Sequence, residues 1–274
     1  MSVWSDLQTS RSARTRWPGL AAAALARVAP GALFCVLLAA GWQALALRWQ
    51  SPLIPDLGAI GTELAEIVRS GTAVQEIAVT LGRIALGMAM GFVIALAVGF
   101  ASARNRFAQS FFEPALLLGL TVPGLVWALL CVIWFGLSLK TSVIAIALGI
   151  SPALAVSLTQ GIAAVDPHLI EASHVFRLSA AQRLRYLWLP AILPFLLGGL
   201  RLAFSLAWKV VVLVEVFGLS TGVGYGLNSA FISQNVGAVL AWTLLFALVV
   251  AAIEYGLFQV IERRLTRWQR KSNV

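Results

Sequence analysis

Six long apolar stretches divide the chain, near residues 28–48, 77–103, 112–136, 141–163, 190–218 and 237–261. A helix needs about 20 mostly apolar residues to cross a bilayer, so the pattern predicts an all-α integral membrane protein with six transmembrane helices. Pro123 and Pro152 fall inside the third and fourth stretches and are candidates for breaks. Between the first and second, Leu57, Ile60, Leu64, Ile67 and Val68 recur at helical spacing, with Glu63, Glu66 and Arg69 on other faces. That spacing predicts an amphipathic helix over Leu57 to Gly71 lying outside the hydrocarbon core. The first stretch follows Arg11, Arg14, Arg16 and Arg27 as a signal peptide would, but no small-residue cleavage site closes it, so it reads as an uncleaved span.

The connection between the fourth and fifth stretches differs in kind. Asp166 to Leu189 is polar, and Glu171 to Pro190 reads EASHVFRLSAAQRLRYLWLP. Helix connections in bundles usually run about 2–8 residues. A longer one carrying Ile170, Val175, Phe176, Leu184, Leu187 and Leu189 predicts two short helices whose apolar face needs a partner.

Composition agrees with the pattern. The chain of 274 residues is 60% apolar and 11% charged, against about 45–50% and 25% in soluble domains. This excludes a soluble enzyme, a disulfide scaffold and a disordered chain. The net charge of +9 raises a nucleic-acid partner, which the placement of the charges removes. Arg11, Arg14, Arg16, Arg27, Arg104, Arg106, Arg177, Arg183, Arg185, Arg263, Arg264, Arg267, Arg270 and Lys271 fall on one set of connecting segments, and only Arg48, Arg69 and Lys140 on the other. The Lys/Arg bias therefore puts both termini in the cytoplasm. Cys35 and Cys131 lie in apolar runs and read as buried hydrophobes. His168 and His174 read as surface residues of the polar loop, and no metal or catalytic constellation is present in the sequence. The glycines of Gly222-Val223-Gly224-Tyr225-Gly226 lack the Gly-Lys-Ser/Thr ending of a nucleotide loop and read as a turn on the outer side.

Ionisable side chains within spans mark a pathway or an internal pair. At about 1.5 Å per residue, Arg201 and Glu254 lie roughly 15 and 12 Å from the inner ends of the fifth and sixth spans, which places them to pair. Arg83 and Glu215, near the outer ends of theirs, are placed to pair likewise. Lys209 has no acid at its depth, so it faces the bundle interior, a dimer interface or a watery path, either as a counter-charge for an anionic solute or as a packing residue whose ammonium snorkels.

The 166–189 loop resembles the EAA loop of ABC-importer permeases. Glu171, Ala172 and Ser173 occupy the triplet, and Leu187, Trp188, Leu189 and Pro190 close the motif at matching spacing, while Arg177 stands where the family has Gly. TLGRIALGMAMGF from Thr80, GLRLAFSLAWKVVVLVEVFG from Gly199, GVGYGL from Gly222 and ERRLTRW from Glu262 resemble the branch serving nitrate, taurine, aliphatic sulfonates and bicarbonate. The third span matches more loosely, with Thr121-Val122-Pro123-Gly124 preceding Trp127.

The resemblance implies a type I importer permease fold in the bacterial inner membrane. Residues 1–76 would hold the cytoplasmic N-terminus, the first span and the outer amphipathic helix; 77–262 the five-helix core with its coupling loop at 164–190; and 263–274 a basic cytoplasmic tail. It implies a homodimer, two cytoplasmic ATPase subunits and a periplasmic or extracellular solute-binding protein, with surrounding membrane lipid and no nucleic acid. ATP and Mg²⁺ would be held by the ATPase partner and no cofactor by this chain. Glu171, Ala172, Ser173, Phe176, Arg177, Leu187, Leu189 and Pro190 would form the coupling set, and Trp127, Lys209 and Glu215 would border the solute path. A residue other than Gly adopts a left-handed turn at a cost, so Arg177 predicts either continuous short helices or a turn made differently. The solute would be a small anion such as a sulfonate, with a neutral or heterocyclic solute as the alternative within the family. An ion-gradient-driven secondary transporter is the alternative outside it.

Overall fold

A computed structural model describes residues 20–261, with side chains from residue 29. The N-terminal arginines at 11, 14 and 16, the ERRLTRW stretch and the 263–274 tail lie outside the described residues. The described residues are helical, without strands. They divide into two units, one through Leu57 and one from Gly58.

The first unit is the helix α1 (Leu20–Trp49) and the segment that follows it. α1 is long and apolar enough to span a membrane from Ala29 to Trp49. Beyond Gln50, whose φ is +44°, the chain returns along the helix end. Trp42 Nε1 donates to the Pro55 carbonyl at 2.9 Å, and the Leu57 amide to Gln43 Oε1 at 2.9 Å.

The second unit begins as the amphipathic helix α2 (Leu57–Arg69), which buries Ile60. Then follow α3 (Thr72–Arg104), α4 (Arg106–Thr121), α5 (Gly124–Phe135), α6 (Leu139–Ala163), two short helices α7 (Pro167–Val175) and α8 (Ala180–Arg183), α9 (Leu189–Gly218), α10 (Val223–Ile232) and α11 (Val236–Ala252). Two π-turns, Leu184–Trp188 and Ile253–Phe258, run without a break into α9 and out of α11. Closed helices suit these segments because lipid offers the backbone no hydrogen-bond partner.

α6 forms the centre, packed between α3 and α9, and buries Ala145, Ile146, Ala147, Ile150, Leu154 and Leu158. α3 approaches it closely through a repeat of small residues, Gly87, Gly91, Ala95 and Gly99, spaced four apart. A Cβ at Gly87 would fall 2.6 Å from Ile146 Cβ, and one at Gly99 2.6 Å from Leu158 Cδ2. Dispersion between close backbones is what holds helices together where no hydrophobic effect operates. On the other side of α9, Phe204 meets Phe258 with ring centroids 5.4 Å apart and Trp208 meets Phe246 at 6.2 Å.

The third stretch is not one straight span. α4 and α5 meet at a bend of 99°, because Pro123 lacks an amide hydrogen and drives Val122 out of the helical region to φ −68°, ψ 121°. Pro152 does not act this way. α6 runs through it unbroken, and the proline is buried with its ring where a Cβ on Gly119 would fall. Four helices pass as spans singly, and six do if α4 with α5 and α9 with α10 each count as one bent span.

Candidate functional site: the polar loop and the charges of the spans

The polar loop is built by three capping devices. Asp166 Oδ1 accepts the His168 amide at 2.9 Å and Pro167 opens α7, a favourable first position because its missing amide hydrogen would have no helical partner. At the other end the Leu178 amide donates to the Ser173 carbonyl and the Arg177 amide to the His174 carbonyl, both at 3.0 Å. This is a Schellman motif whose left-handed residue is Arg177, at φ +50°. The expectation of continuous helices or a different turn is therefore corrected. The chain makes the turn a glycine would make, with an arginine in it, because three consecutive carbonyls of α7 gain donors from it. Ser179 and Gln182 then cap α8 reciprocally, the Ser179 amide donating to Gln182 Oε1 at 2.8 Å. Arg183 Nη1 donates to His174 Nε2 at 2.7 Å, clipping the two short helices together.

The loop presents an apolar knuckle. Val175 and Phe176 are 79% and 77% exposed, with Leu169 half exposed on the same helix. The Glu171 triplet divides: Glu171 is exposed, Ala172 half-buried, and Ser173 buried with its hydroxyl donating to the Ile170 carbonyl at 2.6 Å. Arg177 and Leu189 are exposed, whereas Leu187 and Pro190 are half-buried where the π-turn enters α9.

At the opposite ends of α3 and α9 lies a buried polar cluster. Arg83 Nη1 meets Glu215 Oε1 at 2.7 Å, and the arginine also donates to the carbonyl and hydroxyl of Thr221 at 2.7 Å each. Thr80 Oγ1 lies 2.9 Å from both Glu215 oxygens and accepts the Val223 amide. Glu215 Oε2 accepts the Gly224 amide at 2.9 Å, and Glu76 accepts that of Gly222. Carboxylates and a hydroxyl from two other helices thus satisfy the free amides at the start of α10 and complement its positive end. The reading of 222–226 as a turn is corrected to a single turn residue. Gly222, at φ +104°, makes the bend, and the helix begins at Val223. Gly224 and Gly226 are there for closeness, since a Cβ would meet Glu215 Cβ at 2.5 Å or Trp242 Cε2 at 2.6 Å respectively.

Arg201 Nε and Glu254 Oε1 form an ion pair between α9 and the second π-turn. Lys209 is exposed on α9 with Nζ 5.6 Å from the Trp208 ring centroid. Trp127 is half-buried on α5, and its indole Nε1 is buried without a hydrogen-bond partner among the described residues. Glu215, grouped from sequence with Trp127 and Lys209, sits instead in the far-end cluster, fully buried. Thr80, Thr221 and Glu76 escaped the sequence reading; for Thr80 and Glu76 the available signal was helical spacing, one and two turns before Arg83 on α3, whereas Thr221 carried none.

Residues 85–267 match the model of the family described as binding-protein-dependent transport system inner membrane component. The taurine transport system permease protein of Escherichia coli K12 is 31% identical over 270 residues, 94% of each chain. The Bacillus subtilis protein assigned to aliphatic sulfonates transport as a permease is 29% identical over 87% of each. An inward-facing structure of a methionine ABC transporter superposes with TM-score 0.63 at 19% identity, covering 72% of this chain and 97% of that one. A second, of an amino acid ABC transporter, gives 0.54 at 21%, covering 76% and 97%. The family match, the relatives and the helical fold agree: the chain belongs to the inner-membrane components of binding-protein-dependent transport systems, as an ABC-importer permease of the sulfonate and taurine branch.

Proposed function

We propose that two copies of this chain form the membrane path of an ATP-driven importer for a small sulfonate-like anion, with the 166–189 loop seated in cytoplasmic ATPase subunits that hold the ATP and Mg²⁺. The observation that carries this reading is the exposed knuckle at Val175 and Phe176, held by the caps and the left-handed turn described above. Water offers no reason to fix two large apolar side chains so; a groove on a partner does. The Lys/Arg bias supports a cytoplasmic position for this loop and both termini.

The connectivity supports a lever. α7 follows α6 after three residues, and the π-turn continues into α9, so a displacement of the knuckle is delivered to the two central helices. At the far end α9 is tied through Glu215 to α3 and α10, where a loaded binding protein would release its solute. The solute class follows from the relatives named for taurine and aliphatic sulfonates, and Lys209 and Trp127 are the cation and the indole donor suited to an anion.

The test is reconstitution in liposomes with the ATPase pair and the binding protein. Taurine or an alkanesulfonate should stimulate ATP hydrolysis and enter the vesicles. Phe176→Asp should lower the stimulated rate about tenfold or more, as expected for loss of an aromatic anchor, without changing the melting temperature. Undiminished coupling in Phe176→Asp, or uptake by this chain alone on a proton or sodium gradient, would overturn the proposal.

A further inference from the structure

A cavity of about 530 Å³ opens between α3, the last turns of α6, the first π-turn and the start of α9. Phe92, Leu96 and Phe100 line it from one face of α3, Trp188 and Leu196 from the opposite wall, and Arg104 stands where α3 ends. Phe100 is 53% exposed, so the cavity is a groove open to the surface. Apart from Arg104 its walls are almost wholly apolar side chains. Arg104 forms no ion pair among the described residues.

We infer that this groove holds one acyl chain of an anionic phospholipid, with the lipid phosphate at Arg104. Phe92 and Arg104 are twelve positions apart, roughly 18 Å along a helix, close to the roughly 15 Å of one leaflet of hydrocarbon. At about 530 Å³ the groove holds far less than a helix of about 10–12 Å diameter fills over the same length, on the order of 1,400–2,000 Å³, so an alkyl chain enters it and a whole span does not. The groove is therefore too narrow for a span of a second copy. It is too apolar for a small sulfonate, whose oxygens would find one guanidinium and at most one indole N–H among otherwise hydrocarbon walls. A phospholipid matches both ends: hydrocarbon along α3, and a negative charge where the lone guanidinium stands. Trp188 belongs to the π-turn that closes the coupling loop, so the acyl chain packs against the exit of that loop. The assignment to the cytoplasmic leaflet rests on the orientation proposed above; the binding itself does not.

The test uses the permease–ATPase complex equilibrated with vesicles of equal phosphatidylglycerol and phosphatidylethanolamine, then extracted in mild detergent and weighed by native mass spectrometry. The complex should retain phosphatidylglycerol preferentially, about fivefold, the effect of one cation at an anionic headgroup. Leu196→Trp, which fills the groove, should lose the lipid, and Leu196→Met should keep it. Arg104→Gln should keep a lipid without the preference. In a second measurement, phosphatidylglycerol brominated on its chains should quench wild-type fluorescence more than that of Trp188→Phe, which needs no groove-filling variant to fold. Equal retention in wild type and Leu196→Trp, an unchanged preference in Arg104→Gln, or equal quenching with and without Trp188 would overturn the inference. None of these readouts involves transport, so a complex that imports nothing would still decide them.

Discussion

Arg83 on α3 and Glu215 on α9 meet at 2.7 Å with side-chain exposures of 8% and 0%. Neither charge is left to water, and the remaining polar atoms of the pair go to Thr80, Thr221 and the Gly224 amide. Removing one partner of such a pair strands the other and typically destabilises by about 3–5 kcal/mol. Arg83→Met should therefore lower thermal stability sharply. Arg83→Met with Glu215→Gln should recover part of the loss, because the neutral amide oxygen still accepts from Gly224. A double-mutant cycle from unfolding in detergent measures the coupling. Additive losses would mean the two side chains act independently.

The small-residue seam predicts opposite fates for two glycines of one helix. A Cβ at Gly91 would lie 2.7 Å from Ile150 Cγ1 and 3.3 Å from Ala147 Cα, whereas Gly82 has nothing within 4 Å. Gly91→Ala should cost about 1–3 kcal/mol by overpacking. Gly82→Ala should be neutral or slightly stabilising, because alanine is the better helix former. Melting temperatures of the two variants decide it, and equal values would remove the seam as the determinant of α3–α6 packing.

The spans were legible because lipid imposes one demand on every segment: apolar side chains over a closed backbone. Depth along a helix was enough to propose Arg201 with Glu254 and Arg83 with Glu215, since a charge in hydrocarbon admits few partners. What escaped is what depends on angle rather than length. Pro123 and Pro152 look alike in sequence, yet only Pro123 bends the chain, by driving Val122 out of the helical region, whereas packing encloses Pro152 within α6. The π-turn that carries Glu254 leaves no mark in the sequence, since the rotation that an extra residue imposes on the helix faces is invisible where every face is apolar. The glycines of 222–226 read as a turn, although two of the three serve proximity to Glu215 and Trp242.

Arg177 holds a left-handed conformation at φ +50°, which disfavours side chains with a Cβ by roughly 1–2 kcal/mol. Arg177→Gly should relieve it, and the greater freedom of glycine in the unfolded chain offsets about 0.5–1 kcal/mol of that gain. The net should be a slower opening of α7, by at most about tenfold in amide exchange. Arg177→Val, branched at Cβ, should open faster than the native loop. Hydrogen exchange of residues 172–178 reads this directly, and faster exchange in Arg177→Gly would show that the arginine head group holds the turn.

Lys209 is an exposed cation on a span, its ammonium over the Trp208 ring. An exposed cation–π contact is worth only about 0.5–1 kcal/mol, too little to explain a lysine in hydrocarbon by itself. As a counter-charge for a sulfonate it would contribute about 1.5 kcal/mol or more, roughly tenfold in the half-saturating solute concentration. Lys209→Ala should raise that concentration by this factor with the maximal rate little changed, and Lys209→Arg should largely restore it. Uptake in proteoliposomes carrying the ATPase pair and the binding protein separates the roles. If both variants keep the native half-saturation, the ammonium serves packing beside Trp208, and the selecting charge of the path lies elsewhere.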